Sequence, residues 1–119
     1  MRSSDLKKRW ALPAQVYARP LELFPGKRLD FRQLQVEMNA LGYRAVQQVR
    51  NSGQFSHHRG EVEIFSRGFD FTDGSEPPRH LSFDIDGGRI SSLSVHRRGK
   101  KRSLELARLE PAQIGRAHV

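Results

Sequence analysis

Apolar and polar positions switch from a strand period to a helix period and back along this chain. Phe31, Leu34, Met38 and Leu41 recur at steps of three, four and three, which lines one face of a helix. Asp30 can accept from the free N–H groups of a first turn and Gln33 can reach back to it, as in a capping box. Gly42 stands where a left-handed C-terminal cap is wanted. The spacing therefore predicts a helix over 30–41. After it the pattern belongs to strands and turns. Tyr43 to Val49 reads as a strand turned by Asn51-Ser52-Gly53, and a second runs through Glu61 to Phe65 with Val62 and Ile64 inward. Arg67 to Arg79 reads as a long connection containing Phe69-Asp70-Phe71 and the turn-rich stretch Asp73 to Pro78. Leu81, Phe83 and Ile85 alternate with Ser82 and Asp84, giving a strand with one buried and one wet face. Asp86-Gly87-Gly88 is a hairpin turn, because glycine accepts positive φ without strain. Leu93 and Val95 continue inward, whereas Ile90 is out of phase with them and marks a bulge.

Ahead of the helix, Ala14 to Leu23 alternates as a strand framed by Pro13 and Pro20. Proline cannot donate to a ladder, so the pair brackets an edge strand on which Trp10 can fold back as an anchor. Residues 1–9 read as linker and 112–119 as tail, leaving 10–111 as one domain. The expected class is α+β: one α-helix packed on an antiparallel sheet of five or six short strands.

Composition adds three limits. At 119 residues with 36% hydrophobic positions, the chain supports a modest core with polar ends and loops. No run approaches the length needed to span a bilayer, and no apolar core follows Met1-Arg2-Ser3-Ser4-Asp5, so an anchor or export signal is expected to lie upstream of these residues. The absence of cysteine excludes disulfides and thiolate metal sites. The formal charge of +8 gathers in Lys7-Lys8-Arg9, His57-His58-Arg59 and the run Arg97-Arg98-Gly99-Lys100-Lys101-Arg102.

Catalytic chemistry is not evident. Ser4 and Lys7 have the spacing of an acyl-enzyme pair but lie in the linker without partner motifs. His57 and His58 point to opposite faces of a strand and cannot share an ion, and His80, His96 and His118 show no ligand spacing and read as surface histidines. Asp84 and Asp86 fit a solvated face and a turn. Phe69 and Phe71 plug the end of the sheet while Asp70 caps a turn; a recognition surface would require the rings to be exposed. No catalytic residue, cofactor or metal ligand is assigned, and the chain is not expected to be an enzyme by itself.

Five motifs stand in a particular order: Trp10-x-Leu12-Pro13-Ala14-x-Val16-Tyr17-x-Arg19, Leu41-Gly42-Tyr43-Arg44, Arg67-x-Phe69-Asp70-Phe71, Phe83-x-x-Asp86-Gly87 and Arg108-Leu109-Glu110-Pro111. In that order they resemble the UvrB-domain-2-homologue module, the small non-catalytic domain of class A penicillin-binding proteins of the 1b type. The resemblance implies a domain placed between a membrane-spanning helix and the glycosyltransferase and transpeptidase domains of a peptidoglycan synthase. It further implies a location on the periplasmic face of the bacterial inner membrane and docking of an outer-membrane lipoprotein activator. Further implied partners are the parent chain's catalytic domains and peptidoglycan enzymes. Membrane contact would come only through the upstream helix.

The residues themselves fit a docking role. A meander brings the Asp73 to Pro78 loop and the Arg97 to Arg102 turn to one end of the sheet, where Glu76 is expected beside Arg98, Lys100 and Arg102. Arg50, beside the Asn51-Ser52-Gly53 turn, is a further expected contact, and an exposed edge strand could pair with a partner strand. The alternative reading is a small basic nucleic-acid-binding module, against which stands the lack of an aromatic platform for stacked bases. A third is contact of the basic patches with anionic headgroups or lipid-linked pyrophosphate.

Overall fold

The computed structural model describes residues 14–17, 19–111 and 113–117. Trp10, Pro13, His118 and the Ser4/Lys7 pair lie outside the described residues, as does the expected linker. In chain order the elements are β1 (Ala14–Tyr17), β2 (Glu22–Leu23), α1 (Phe31–Leu41), β3 (Arg44–Ala45), β4 (Gln54–His58), β5 (Glu61–Phe65) and β6 (Phe69–Phe71). They continue with β7 (Gly74–Glu76), β8 (His80–Asp86), β9 (Arg89–Arg97), β10 (Lys100–Ser103), β11 (Ala107–Arg108) and β12 (Gln113–Ala117).

α1 forms where its pattern predicts. Asp30 caps it in an extended conformation, its carboxylate accepting from the Gln33 N–H at 2.8 Å, while the Gln33 side chain accepts from the Asp30 N–H at 3.3 Å. Gly42 ends it at φ 75, and the next N–H, that of Tyr43, turns back to the Met38 carbonyl at 2.9 Å. Leu34 and Met38 are wholly buried, and Phe31 and Leu41 pack at the core's margin. Because a cap satisfies an otherwise orphaned N–H, Asp30→Ala should lower stability by about 1 kcal/mol in urea unfolding, whereas Asp30→Asn should stay near wild type.

The main sheet has six strands in the order β10-β9-β8-β5-β4-β3. Its ladders are antiparallel except for β3 with β4, which run parallel. The α+β class thus holds, but the sheet is mixed rather than antiparallel throughout. Val62 and Ile64 of β5, Leu81 and Phe83 of β8 and Leu93 of β9 are buried with the α1 residues in one core. Ile90 joins them through the expected bulge: Asp84 pairs with Ser92 but Ile85 with Ile90, so Ser91 is the extra residue. The opposite face of the sheet carries Glu61 and Glu63, then His80, Ser82 and Asp84, then Ser92, Ser94 and His96, and finally Lys101, by the same registers.

Four differences from the expected elements have short ladders in common. The Ala14–Leu23 strand is two strands with different partners, β1 on β12 and β2 on β11, and Pro20 lies in the break. The expected tail contains β12, antiparallel to β1; Gln-Ile-Gly-Arg-Ala has too little apolar alternation to announce a strand. Of Tyr43–Val49 only Arg44 and Ala45 are strand, because the chain leaves the sheet after one further bond, from the Val46 N–H to the Phe55 carbonyl at 2.9 Å. The connection 67–79 contains a hairpin, β6 on β7. Its neck is closed by Ser66 and Arg79, whose backbone and hydroxyl groups bond each other at 2.8 and 2.9 Å.

Candidate docking surface

The β9–β10 hairpin turns tightly through Arg98 and Gly99 at φ 52 and 76, with Arg97 paired to Lys100. Positive φ at both central residues is the geometry that matches strand twist. It also thrusts the flanking cations outward. Arg97, Arg98, Lys100 and Arg102 line one surface depression, all exposed, and none of their side chains has a hydrogen bond or ion pair among the described residues. Beside it lies an open cleft of about 550 Å³ lined by Phe65, Pro77, Pro78, His80, Leu104 and Arg98 among others. Of the expected Asp73–Pro78 loop, Pro77 and Pro78 share this cleft with Arg97 and Arg98 of the basic turn.

Glu76 does not join the cations. Its carboxylate faces Arg108, 3.9 Å from Nη2, and Arg108 also pairs with Asp73 at 3.1 Å and covers the Phe71 ring at 4.0 Å. The reason is the β6–β7 hairpin, which carries Glu76 back toward β11. Phe69 and Phe71 meet edge to face at 4.9 Å, both half-buried, and Asp70 accepts from Ser75 across the hairpin at 2.6 Å rather than capping a turn. Arg50 stands at the same end of the sheet as the basic turn, since β4 begins where β9 ends. It is at the far side, however, three ladders away or about 14 Å at ordinary strand spacing. Its guanidinium donates to Gln48 at 2.8 Å.

Sequence reading missed a second cluster. His80 and His96, expected as unrelated surface residues, are direct cross-strand partners with rings stacked at 4.3 Å and 17°. Glu63 on the neighbouring strand holds His80 Nε2 at 2.7 Å, and Phe65 stacks on the other side of His80 at 5.5 Å. His96 Nε2 is buried and has no hydrogen-bond partner. Burial, and secondarily the neighbouring His80, pushes the His96 pKa below its ordinary 6.5, so this ring is neutral at physiological pH. His57 and His58 do diverge: His57 stacks on Phe31 at 3.8 Å, and His58 meets the Gln47 carbonyl at 3.0 Å.

The sequence matches known proteins. The family described as the bifunctional transglycosylase second domain (UB2H) matches residues 23–109. Among similar proteins, Penicillin-binding protein 1B of Vibrio cholerae serotype O1 is 38% identical over 104 residues, covering 87% of this chain and 13% of the relative. Penicillin-binding protein 1B of Escherichia coli K12 is 29% identical over 84 residues, covering 71% of this chain and 10% of the relative. The chain thus spans about an eighth or less of these relatives' length. It belongs to the bifunctional transglycosylase second domain family.

Proposed function

We propose that this domain is a non-catalytic, regulatory docking module of a bifunctional peptidoglycan synthase, and that it receives an outer-membrane lipoprotein activator at its basic hairpin. The parent enzyme would carry the glycosyltransferase and transpeptidase activities and hold the domain on the periplasmic face of the inner membrane. No helix among the described residues is long and apolar enough to cross a membrane, so anchoring would fall to another part of the parent. Family membership supports the parent's chemistry. The observation that carries the docking reading is the group Arg97, Arg98, Lys100 and Arg102, unpaired in one depression beside a cleft whose walls are partly apolar (Phe65, Pro77, Pro78, Val95 and Leu104). Four cations gathered without internal partners raise the local potential and steer an acidic surface. The cleft beside them can seat an apolar anchor.

Arg98, Lys100 and Arg102 remain the proposed contacts and Arg97 joins them. Glu76 and Arg50 are assigned lesser roles, because each is engaged within the domain. In titration calorimetry with the cognate lipoprotein, a Lys100→Glu/Arg102→Glu variant should bind about ten- to a hundredfold more weakly, with the loss shrinking as salt is raised. Arg50→Glu should bind like wild type. Equal affinities for all three proteins would remove the basic hairpin from the interface. Steeply salt-dependent retardation of DNA by the wild-type chain, without lipoprotein binding, would favour a nucleic-acid-binding module instead.

A further inference from the structure

We propose that Glu63, His80 and His96 form a binding site for a divalent transition-metal ion, zinc above all, on the sheet face turned away from α1. The three residues stand on β5, β8 and β9, consecutive strands of the sheet. His80 and His96 are directly opposite each other, and Glu63 is opposite Ser82, two positions along β8 on the same face. One donor atom from each residue lies within 4.8 Å of those of the other two. A tetrahedral zinc with its usual bond lengths needs donors about 3.3–3.5 Å apart, so the site requires the three side chains to rotate inward from their present separation. The ladder already fixes the Cβ positions.

Two features of the cluster point to a ligand rather than to packing alone. His96 Nε2 is the one buried side-chain polar atom without a partner among the described residues, and a metal bond would satisfy it. The cluster also has space: the next row along β8 and β9 is Ser82 opposite Ser94, and the cleft of about 550 Å³ is lined by both His80 and His96. Lys101, opposite His96 on this face, has its ammonium directed to Glu61 at 3.4 Å, and Arg79, Arg97 and Arg98 line the cleft around the two histidines. Two imidazole nitrogens and one carboxylate suit zinc and its neighbours, not calcium or magnesium, which require oxygen ligands. Three protein ligands leave a fourth position for water or a donor from a docked partner. On binding, His80 exchanges its hydrogen bond to Glu63 for a shared ion.

The site is read in the free 119-residue chain, so its test does not depend on the docking role. Zinc is titrated into metal-free chain in competition with a chromophoric chelator, and cobalt(II) serves as the absorbing substitute. The expected result is one ion per chain and a higher unfolding temperature with zinc than with chelator. His80→Gln and His96→Gln should each weaken binding roughly tenfold or more, and Glu63→Gln somewhat less. A His57→Ala/His58→Ala variant should bind like wild type. Unfolding temperatures in chelator verify that each variant folds, and the wild-type titration is decisive on its own. No saturable binding at micromolar zinc overturns the site. So does wild-type affinity in the His80 and His96 variants, which would place the ion on other histidines.

Discussion

Gly68→Ala should destabilise the domain by about 2–4 kcal/mol, the largest loss expected of any single methyl group added to it. Two costs combine. Gly68 has φ +83, where a side chain crowds its own backbone at about 1–2 kcal/mol. A Cβ there would also stand 2.7 Å from the Glu76 carbonyl oxygen and 2.9 Å from the Pro78 nitrogen. Both are backbone atoms, fixed by the Ser66–Arg79 neck of the β6–β7 hairpin, and cannot swing away. Gly26 separates the two costs, because its φ is +91 with nothing within 4 Å of its Cβ position. Urea unfolding of both variants should put Gly68→Ala lower than Gly26→Ala by about 1–3 kcal/mol, the share due to overpacking. Equal losses would mean that the neck yields. A yielding neck would also move Pro77 and Pro78, and with them one wall of the cleft beside the basic hairpin.

What could be read from the sequence depended on how long each element persists. α1 and β8 carry their signals over 11 and 7 residues, and both appear where expected. β3, β11 and β2 have two residues each, too few for any period to register, and the parallel β3–β4 pairing follows no local rule. The histidine cluster was hidden for a different reason. A regular ladder running back from the Gly87-Gly88 turn would set His80 opposite Val95. The bulge at Ser91 adds one residue and brings His96 opposite instead. Ile90 being out of phase was the visible trace of that bulge, so pattern and register taken together contained the cluster although spacing did not. The candidate docking surface was half legible. The run of cations was plain, but their separation from Glu76 depends on a hairpin whose strands have only three residues each.

Arg67→Ala should cost about 1.5–3 kcal/mol, because it removes one side chain that ties three distant motifs together. Its guanidinium donates to the Leu41 carbonyl and, at 3.0 Å, to that of Gly42, covering the exposed carbonyls where α1 ends. It pairs with Glu110 at 3.4 Å and lies over the Tyr43 ring at 4.5 Å. The Arg67 backbone N–H donates to the Tyr43 hydroxyl at 3.2 Å, and that hydroxyl donates to Glu110 at 2.9 Å. The motifs around Leu41-Gly42-Tyr43, Arg67 and Glu110 thus meet in one network. Lysine cannot reproduce the planar fork, so Arg67→Lys should recover less than half of the loss. A double-mutant cycle with Glu110→Gln should give a coupling of about 0.5–3 kcal/mol, and additive losses would dissolve the network. Proton linkage provides an independent measure. Burial, with Glu110 adding to it, raises the Tyr43 pKa well above its ordinary 10.0, so the folded state keeps a proton that the unfolded chain releases. The Tyr43 contribution to stability should therefore be fully present below pH 10 and decline as the pH rises beyond it. Tyr43→Phe, less stable at neutral pH, should lose that decline, and an unchanged alkaline slope in this variant would place the titrating group elsewhere.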